Sequence, residues 1–309
     1  MDTFFQQLLN GLVLGSVYAL VALGYTMVYG IIGLINFAHG EVVMIGALVS
    51  LTVMNTLVAA WPALPPLLVV LVALMVAVVT CITLGYGMEK VAYRPLRHAP
   101  RLAPLITAIG ISIVLQTAAM MIWGREYQKF PPILPPQSYA LSGVTISLID
   151  ILVLVVSLVM MVGLLMLVHW TRLGRAMRAT AENPTVAGLM GVDVDRIISF
   201  AFIIGSGLAA VAGVLVSAKY SIAHYLMGFM LGLKAFTAAV LGGIGNLAGA
   251  LVGGLALGLI ESLGAGYIGH LTGGVFGSNY QDVFAFLVLV LVLVFRPTGL
   301  MGERVAERA

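Results

Sequence analysis

Along a chain made mostly of aliphatic residues, the side chains able to do chemistry are few and they cluster. The stretch Gly33-Leu-Ile-Asn-Phe-Ala-His-Gly-Glu41 brings Asn36, His39 and Glu41 together between two apolar arms. A histidine and a carboxylate could ligate a metal or move a proton, but two residues apart on a helix they would project roughly 200° from one another. No catalytic residue and no metal-ligand set is therefore expected here. Polar groups at membrane depth are costly unless they face a cavity or each other, and irregular backbone survives there only where protein or water satisfies it. The stretch is read as a discontinuous helix near 33–41 beside a path; a plain interfacial loop between two ordinary spans is the alternative.

A second discontinuity is expected over 241–249, where Leu241-Gly-Gly-Ile-Gly-Asn246 opens a glycine-rich run. Gly33-Leu-Ile-Asn-Phe-Ala38 and Gly243-Ile-Gly-Asn-Leu-Ala248 share Gly, Asn and Ala in register. Paired breaks in two halves suit a transporter built from repeats, with its path between them. The candidate path or break residues are Asn36, His39, Glu41, Gly243, Asn246 and Glu261. Glu261 lies deep in an apolar run and needs a partner or a hydrated pocket, and Lys234 is the candidate partner.

A different kind of signal lies in Arg172-Leu-Gly-Arg-Ala-Met-Arg-Ala-Thr-Ala-Glu-Asn183-Pro-Thr-Val-Ala-Gly-Leu-Met-Gly191. Asn183 is a good N-cap, Pro184 suits the first helical position, and Gly191 can take the left-handed conformation that stops a helix. The apolar members of that short helix, Val186, Ala187, Leu189 and Met190, have no membrane to enter and are expected to dock on something. No Gly-Lys-Ser or Gly-Lys-Thr phosphate loop and no placed dinucleotide fingerprint occurs, so the chain is not expected to bind ATP itself. Either its path is passive or its energy is borrowed.

These residues must be positioned by membrane-spanning helices. Hydrophobic residues make up 61% of the 309 positions and charged residues 9%, against roughly 45–50% and 25% in soluble domains. Secure apolar runs cover Leu8 to Tyr29, Leu64 to Gly87, Leu102 to Trp123, Leu148 to Val168, Ile197 to Ser217 and Val283 to Phe295, and interrupted ones cover Ile31 to Val58 and Tyr225 to Leu263. The expectation is an all-α polytopic bundle forming a single transmembrane domain over residues 1–309, with about eight to ten crossings. The formal charge of +3 does not suggest nucleic acid.

Of the 15 basic residues, 11 fall in three loops: Lys90, Arg94, Arg97 and Arg101; Arg172, Arg175, Arg178 and Arg196; and Arg296, Arg304 and Arg308. The positive-inside rule places all three in the cytoplasm, which makes 171–196 a cytoplasmic loop and 124–147 an external one. Four crossings are favoured after Arg196; three before Lys90 would put the N-terminus outside, and a break near Asn36 that made them four would put it inside. The start carries only Asp2, so the first apolar run is not read as a cleaved signal. Trp61, Trp123 and Trp170 fall at segment ends, where amphipathic rings suit the headgroup region. Pro131, Pro132, Pro135 and Pro136 forbid a helix through the external loop. Gly11 with Gly15, Gly249 with Gly253 and Gly254 with Gly258 have the spacing of close helix packing, read here as packing within the chain. The single cysteine, Cys81, permits no internal disulfide.

The stretches "LGSVYALVALGYTMVYGIIGLINFAHGEVVMIGA", "EKVAYRPLR", "LGRAMRATAENPTVAGLMGV", "KAFTAAVLGGIGNLAGALVGG" and "RPTGLMG" closely resemble the smaller permease subunit of bacterial branched-chain amino-acid ABC importers, over nearly the whole chain. The resemblance implies a multi-pass inner-membrane permease with a second homologous permease, two cytoplasmic ATPase subunits that bind ATP and Mg, and an external solute-binding protein. It implies that Asn183 to Gly191 enters a groove on an ATPase. It also implies leucine, isoleucine or valine as cargo, with other amino acids, urea and short amides carried by related systems. A passive channel or a secondary transporter for a small polar solute is the runner-up reading.

Overall fold

A computed structural model describes residues 2–302 apart from His98, Arg101, Pro136, Ser142, Gly274 and 276–279. Arg101, Pro136, Arg304 and Arg308 of the sequence reading thus lie outside the described residues. The chain runs through helices α1 (Asp2–Ile32), α2 (His39–Ala60), α3 (Pro66–Met88), α4 (Leu102–Trp123), α5 (Leu148–Trp170), α6 (Arg172–Glu182), α7 (Pro184–Leu189), α8 (Val194–Tyr220), α9 (Met227–Gly242), α10 (Leu247–Leu271) and α11 (Gln281–Phe295). A π turn (Glu89–Tyr93) and a 3-10 turn (Arg94–Leu96) extend α3. The strands are two short antiparallel pairs, β1 (Gln128–Lys129) with β4 (Ile222–Ala223) and β2 (Ser138–Leu141) with β3 (Val144–Ser147).

Among the described residues, 7 helices are long and apolar enough to cross a membrane, and the shorter apolar α9 and α11 accompany them. Lipid offers helices no hydrophobic reason to associate, so burial has to come from close packing. It is unevenly shared: 89% of the apolar window of α1 and 78% of that of α8 are buried inside the protein, against 17% for α4 and 22% for α3. The molecule is thus an inner group around α1 and α8 with α2, α9 and α10 beside them, and outer helices whose Ile106, Ile113, Val76 and Met75 are exposed. The glycines explain the tightest seam. A Cβ on Gly15 would lie 2.8 Å from the Leu255 Cα, and Gly254 meets Ala19 in the same α1–α10 contact. Gly249 and Gly253 face Gly242 and Ala238 of α9, so all three glycine pairs serve packing within the chain.

Hydrogen bonds sort the loops onto two faces. The Gln6 amide donates to the Thr145 carbonyl at 3.0 Å and accepts from the Thr145 N–H at 2.8 Å. Strand β1 pairs with β4, so the start of α1, the 124–147 segment and the α8–α9 link share one face. On the opposite face Arg97 pairs with Asp195 and Glu89, bringing the first basic loop to the foot of α8. Three helices precede that first basic loop; from Arg196 onward come α8 and α10, long enough to cross, and the shorter apolar α9 and α11. The three tryptophans stand at helix ends: Trp61 at the C-cap of α2, Trp123 and Trp170 as the last residues of α4 and α5.

Candidate functional site

The first break begins where Gly33, at φ 65, accepts the left-handed turn that ends α1. Residues 33–38 form an irregular link between α1, 31 residues long, and α2, 22 residues long. The irregular backbone is satisfied from within: the Asn36 Oδ1 accepts from the Ala38 N–H at 3.1 Å and from the Tyr93 hydroxyl at 2.7 Å. His39 packs edge-on against Tyr25, with ring centroids 4.9 Å apart, over the bare face of Gly24. Glu41 points elsewhere, its Oε1 accepting from Ser112 at 3.0 Å and Gln116 at 2.8 Å. Ser112 lies halfway along α4, so α2 starts within the apolar layer, not at its surface. His39 and Glu41 diverge as their spacing requires, and no metal-holding group of His, Cys, Asp and Glu occurs among the described residues.

The second break is held by a different partner. Gly243 has φ 110. Asn246 caps α10 by accepting from the Gly249 N–H at 3.1 Å, and its amide donates to the Met301 carbonyl at 3.0 Å. The N–H groups of Leu300 and Met301 donate to the carbonyls of Leu241 and Gly242, each at 2.9 Å. The chain's own segment 299–302 therefore lies against Gly243 and Asn246, where the sequence reading anticipated a path.

Glu261 sits far along α10 from that break and is buried. Its Oε2 accepts from the Tyr18 hydroxyl at 2.8 Å and from Lys234 at 3.2 Å, and the Lys234 ammonium also pairs with Asp282 at 2.7 Å. The six candidates of the sequence reading thus fall into three places: Asn36, His39 and Glu41; Gly243 and Asn246; and Glu261 with Lys234. Tyr18, Tyr93, Ser112, Gln116 and Asp282 were not anticipated. Asp282, opening an apolar run, carried a readable signal; an aromatic or serine inside a span carries none. Above Lys234 lies a cavity of about 520 Å³ walled by α1, α8, α9 and α10, with Tyr18, Lys219, Lys234 and Ser262 among its polar residues. Lys219 is paired with Asp150.

On the basic face, α7 is capped as its sequence requires. The Asn183 Oδ1 accepts from the N–H groups of Thr185 and Val186 at 3.0 and 3.1 Å, Pro184 opens the helix, and Gly191 at φ 86 closes it. Leu189 and Met190 are 82% and 81% exposed, Val186 is 52% exposed, and Ala187 is 3% exposed. Ala187 is thus a correction: it faces the protein, and the outward apolar face consists of Val186, Leu189 and Met190. Pro184 borders a pocket with Leu34, Arg94, Arg97 and Asp195, so the helix stands next to the charge network around Glu89. That buried carboxylate is held by Arg94 at 3.2 Å, by Arg97 and by Ser199 at 2.8 Å.

Residues 7–293 match the family "Branched-chain amino acid transport system / permease component". The chain is 47% identical to the high-affinity branched-chain amino acid transport system permease protein BraD of Pseudomonas aeruginosa, covering 99% of this chain and 98% of that one. It is 42% identical to the corresponding permease protein LivH of Escherichia coli, covering 99% and 97%. A more distant relative, the xylose/arabinose import permease protein XylH of Sulfolobus acidocaldarius, is 26% identical over 89% of this chain and 74% of that one.

Proposed function

We propose a function on one premise: the chain belongs to the branched-chain amino acid transport permease family and is a multi-pass permease of the inner membrane. On our reading it is the membrane subunit of an importer whose energy comes from ATP hydrolysed, with Mg, in two separate cytoplasmic ATPase subunits. A second homologous permease completes the membrane part, and an external solute-binding protein delivers leucine, isoleucine, valine or a related small solute. The chain performs no covalent chemistry in this scheme. Its Asn36–Glu41 and Gly243–Asn246 breaks are where helices can tilt as the path alternates. That a relative is named for pentose import shows why cargo needs its own measurement.

The single observation that carries the reading is α7. A rigid two-turn rod presents Leu189 and Met190 to water on the face of the basic loops, and exposed apolar side chains so placed mark a docking surface. A passive pore would have no use for it. The test is Leu189→Asp in proteoliposomes with all partner subunits. An unpaired charge in a docking groove costs on the order of a few kcal/mol, so ATPase association or transport-linked hydrolysis is expected to fail while the permease stays folded. Assembly, hydrolysis and uptake all at wild-type level would reject α7 as the contact.

A further inference from the structure

The cavity above Lys234 is not isolated. A second cavity of about 370 Å³ shares Val216, Tyr220, Met227 and Met230 with it, so the two adjoin. The far wall of the second is formed by Tyr127 and His224, whose rings stack at 4.3 Å beside the β1–β4 pair. The two adjoining cavities therefore line the way from the face carrying the 124–147 segment, the side on which a solute would arrive, to Lys234 and Tyr18. Sites for small molecules typically hold about 300–1,000 Å³, with apolar walls and a few placed polar groups. Here the walls are Val216, Met227, Met230 and Leu231, and methionine adapts readily to branched aliphatic shapes.

Lys234 lines the cavity and Glu261 and Asp282 stand behind it, so what Lys234 can exchange selects what could lie there. Lys234 holds two carboxylates. Glu261 is fixed, its side chain 2% exposed and bonded to Tyr18 as well, whereas that of Asp282 is 31% exposed. Asp282 is the arm that can let go. A solute carrying both a carboxylate and an ammonium could accept from Lys234 in the place of Asp282 and donate to the Asp282 so released, exchanging one ion pair for two. No net charge would enter the apolar layer. A lone anion would add a further negative charge beside Glu261 and Asp282, which is expensive, and a lone cation has no carboxylate with which to take the place of Asp282 on Lys234.

We propose that the Lys234–Asp282 pair, under the wall of Met227, Met230 and Leu231, is a holding site within this subunit for a zwitterionic amino acid with an aliphatic side chain. The proposal rests on the permease reading above and adds to it where the solute pauses and which atoms hold it.

The experiment uses the complete membrane complex, permeases with ATPases, in nanodiscs without nucleotide, and measures binding of radiolabelled leucine against leucine amide and 4-methylpentanoate. Leucine is expected to bind, and each competitor, lacking one charged end, to bind about tenfold more weakly, the scale of one charge-assisted pair. Lys234→Met should weaken leucine binding by at least about the same factor, and Lys234→Arg should restore most of it. Met230→Trp should fill the groove and abolish binding; this residue is in no ion pair, so it decides the matter should Lys234→Met fail to assemble. Wild-type uptake with the binding protein is measured alongside. If leucine is taken up but binding is absent, or is unchanged in Lys234→Met and Met230→Trp, the site is wrong and the permease reading stands. If the wild type moves no aliphatic amino acid, the site and the branched-chain cargo fall together.

Discussion

The two breaks, 33–38 and 243–246, share letters in the sequence and almost nothing in how they are held. In the first, Asn36 turns its Oδ1 inward to Ala38 and to Tyr93 from the π turn of α3, and the buried groups that follow, His39 and Glu41, meet only neutral partners. In the second, Asn246 caps the next helix and ties down residues 299–302. The carboxylate that follows it, Glu261, has a cation. An asparagine near a helix start can satisfy either its own turn or a distant strand of chain, and what surrounds it decides which. The same short motif therefore makes a turn buried in the bundle in one case and a clasp for residues 299–302 in the other.

The largest test of that contrast compares the two carboxylates. Removing one member of a buried ion pair costs roughly 3–5 kcal/mol, so Glu261→Ala should destabilise toward the lower end of that range, Lys234 keeping Asp282. Glu41→Gln should change stability by less than about 1 kcal/mol, because a carboxamide oxygen can still accept from Ser112 and Gln116. Thermal unfolding in detergent, followed by tryptophan fluorescence, measures both. Equal losses would mean that Glu41 depends on its charge and that the breaks are more alike than their geometry.

The glycines sharpen the comparison at smaller scale. Alanine at Gly33, where nothing lies near the new Cβ, should cost only the left-handed strain of about 1–2 kcal/mol. Alanine at Gly243 adds a collision, since its Cβ would stand 2.7 Å from the Gly302 Cα, and should cost about 1 kcal/mol more. Limited carboxypeptidase digestion should then reach residues 299–302 in Gly243→Ala but not in Gly33→Ala. The asparagine pair tests the same contrast through rescue. Asn36→Ala strands the Tyr93 hydroxyl, at about 2 kcal/mol, and Tyr93→Phe in the same chain should recover part of that. Asn246→Ala loses a cap worth about 1 kcal/mol, with no such rescue.

Composition and hydropathy by themselves determined that this chain is a helical bundle in a membrane, because ~20 apolar residues in a row have no other stable place to be. They also marked where the helices end: glycine, asparagine, proline and tryptophan act locally, so Gly33, Asn183, Pro184, Gly191 and Asn246 could be read as boundaries without knowing any contact. The resemblance carried by those same stretches pointed to a permease, and the family match bears it out. Tertiary structure alone decided what each polar group faces. Ala187 and Leu189 are equally apolar letters in one short helix, yet one is buried and the other open. Lys234 was a named candidate for Glu261, but Tyr18, Asp282 and the groove above them come from α1, α11, α8 and α9, elements far apart in the chain. Partners across such distances leave no period or spacing in the sequence, because side-chain pattern reports only the face a residue shares with its own helix, not which helix is packed against that face.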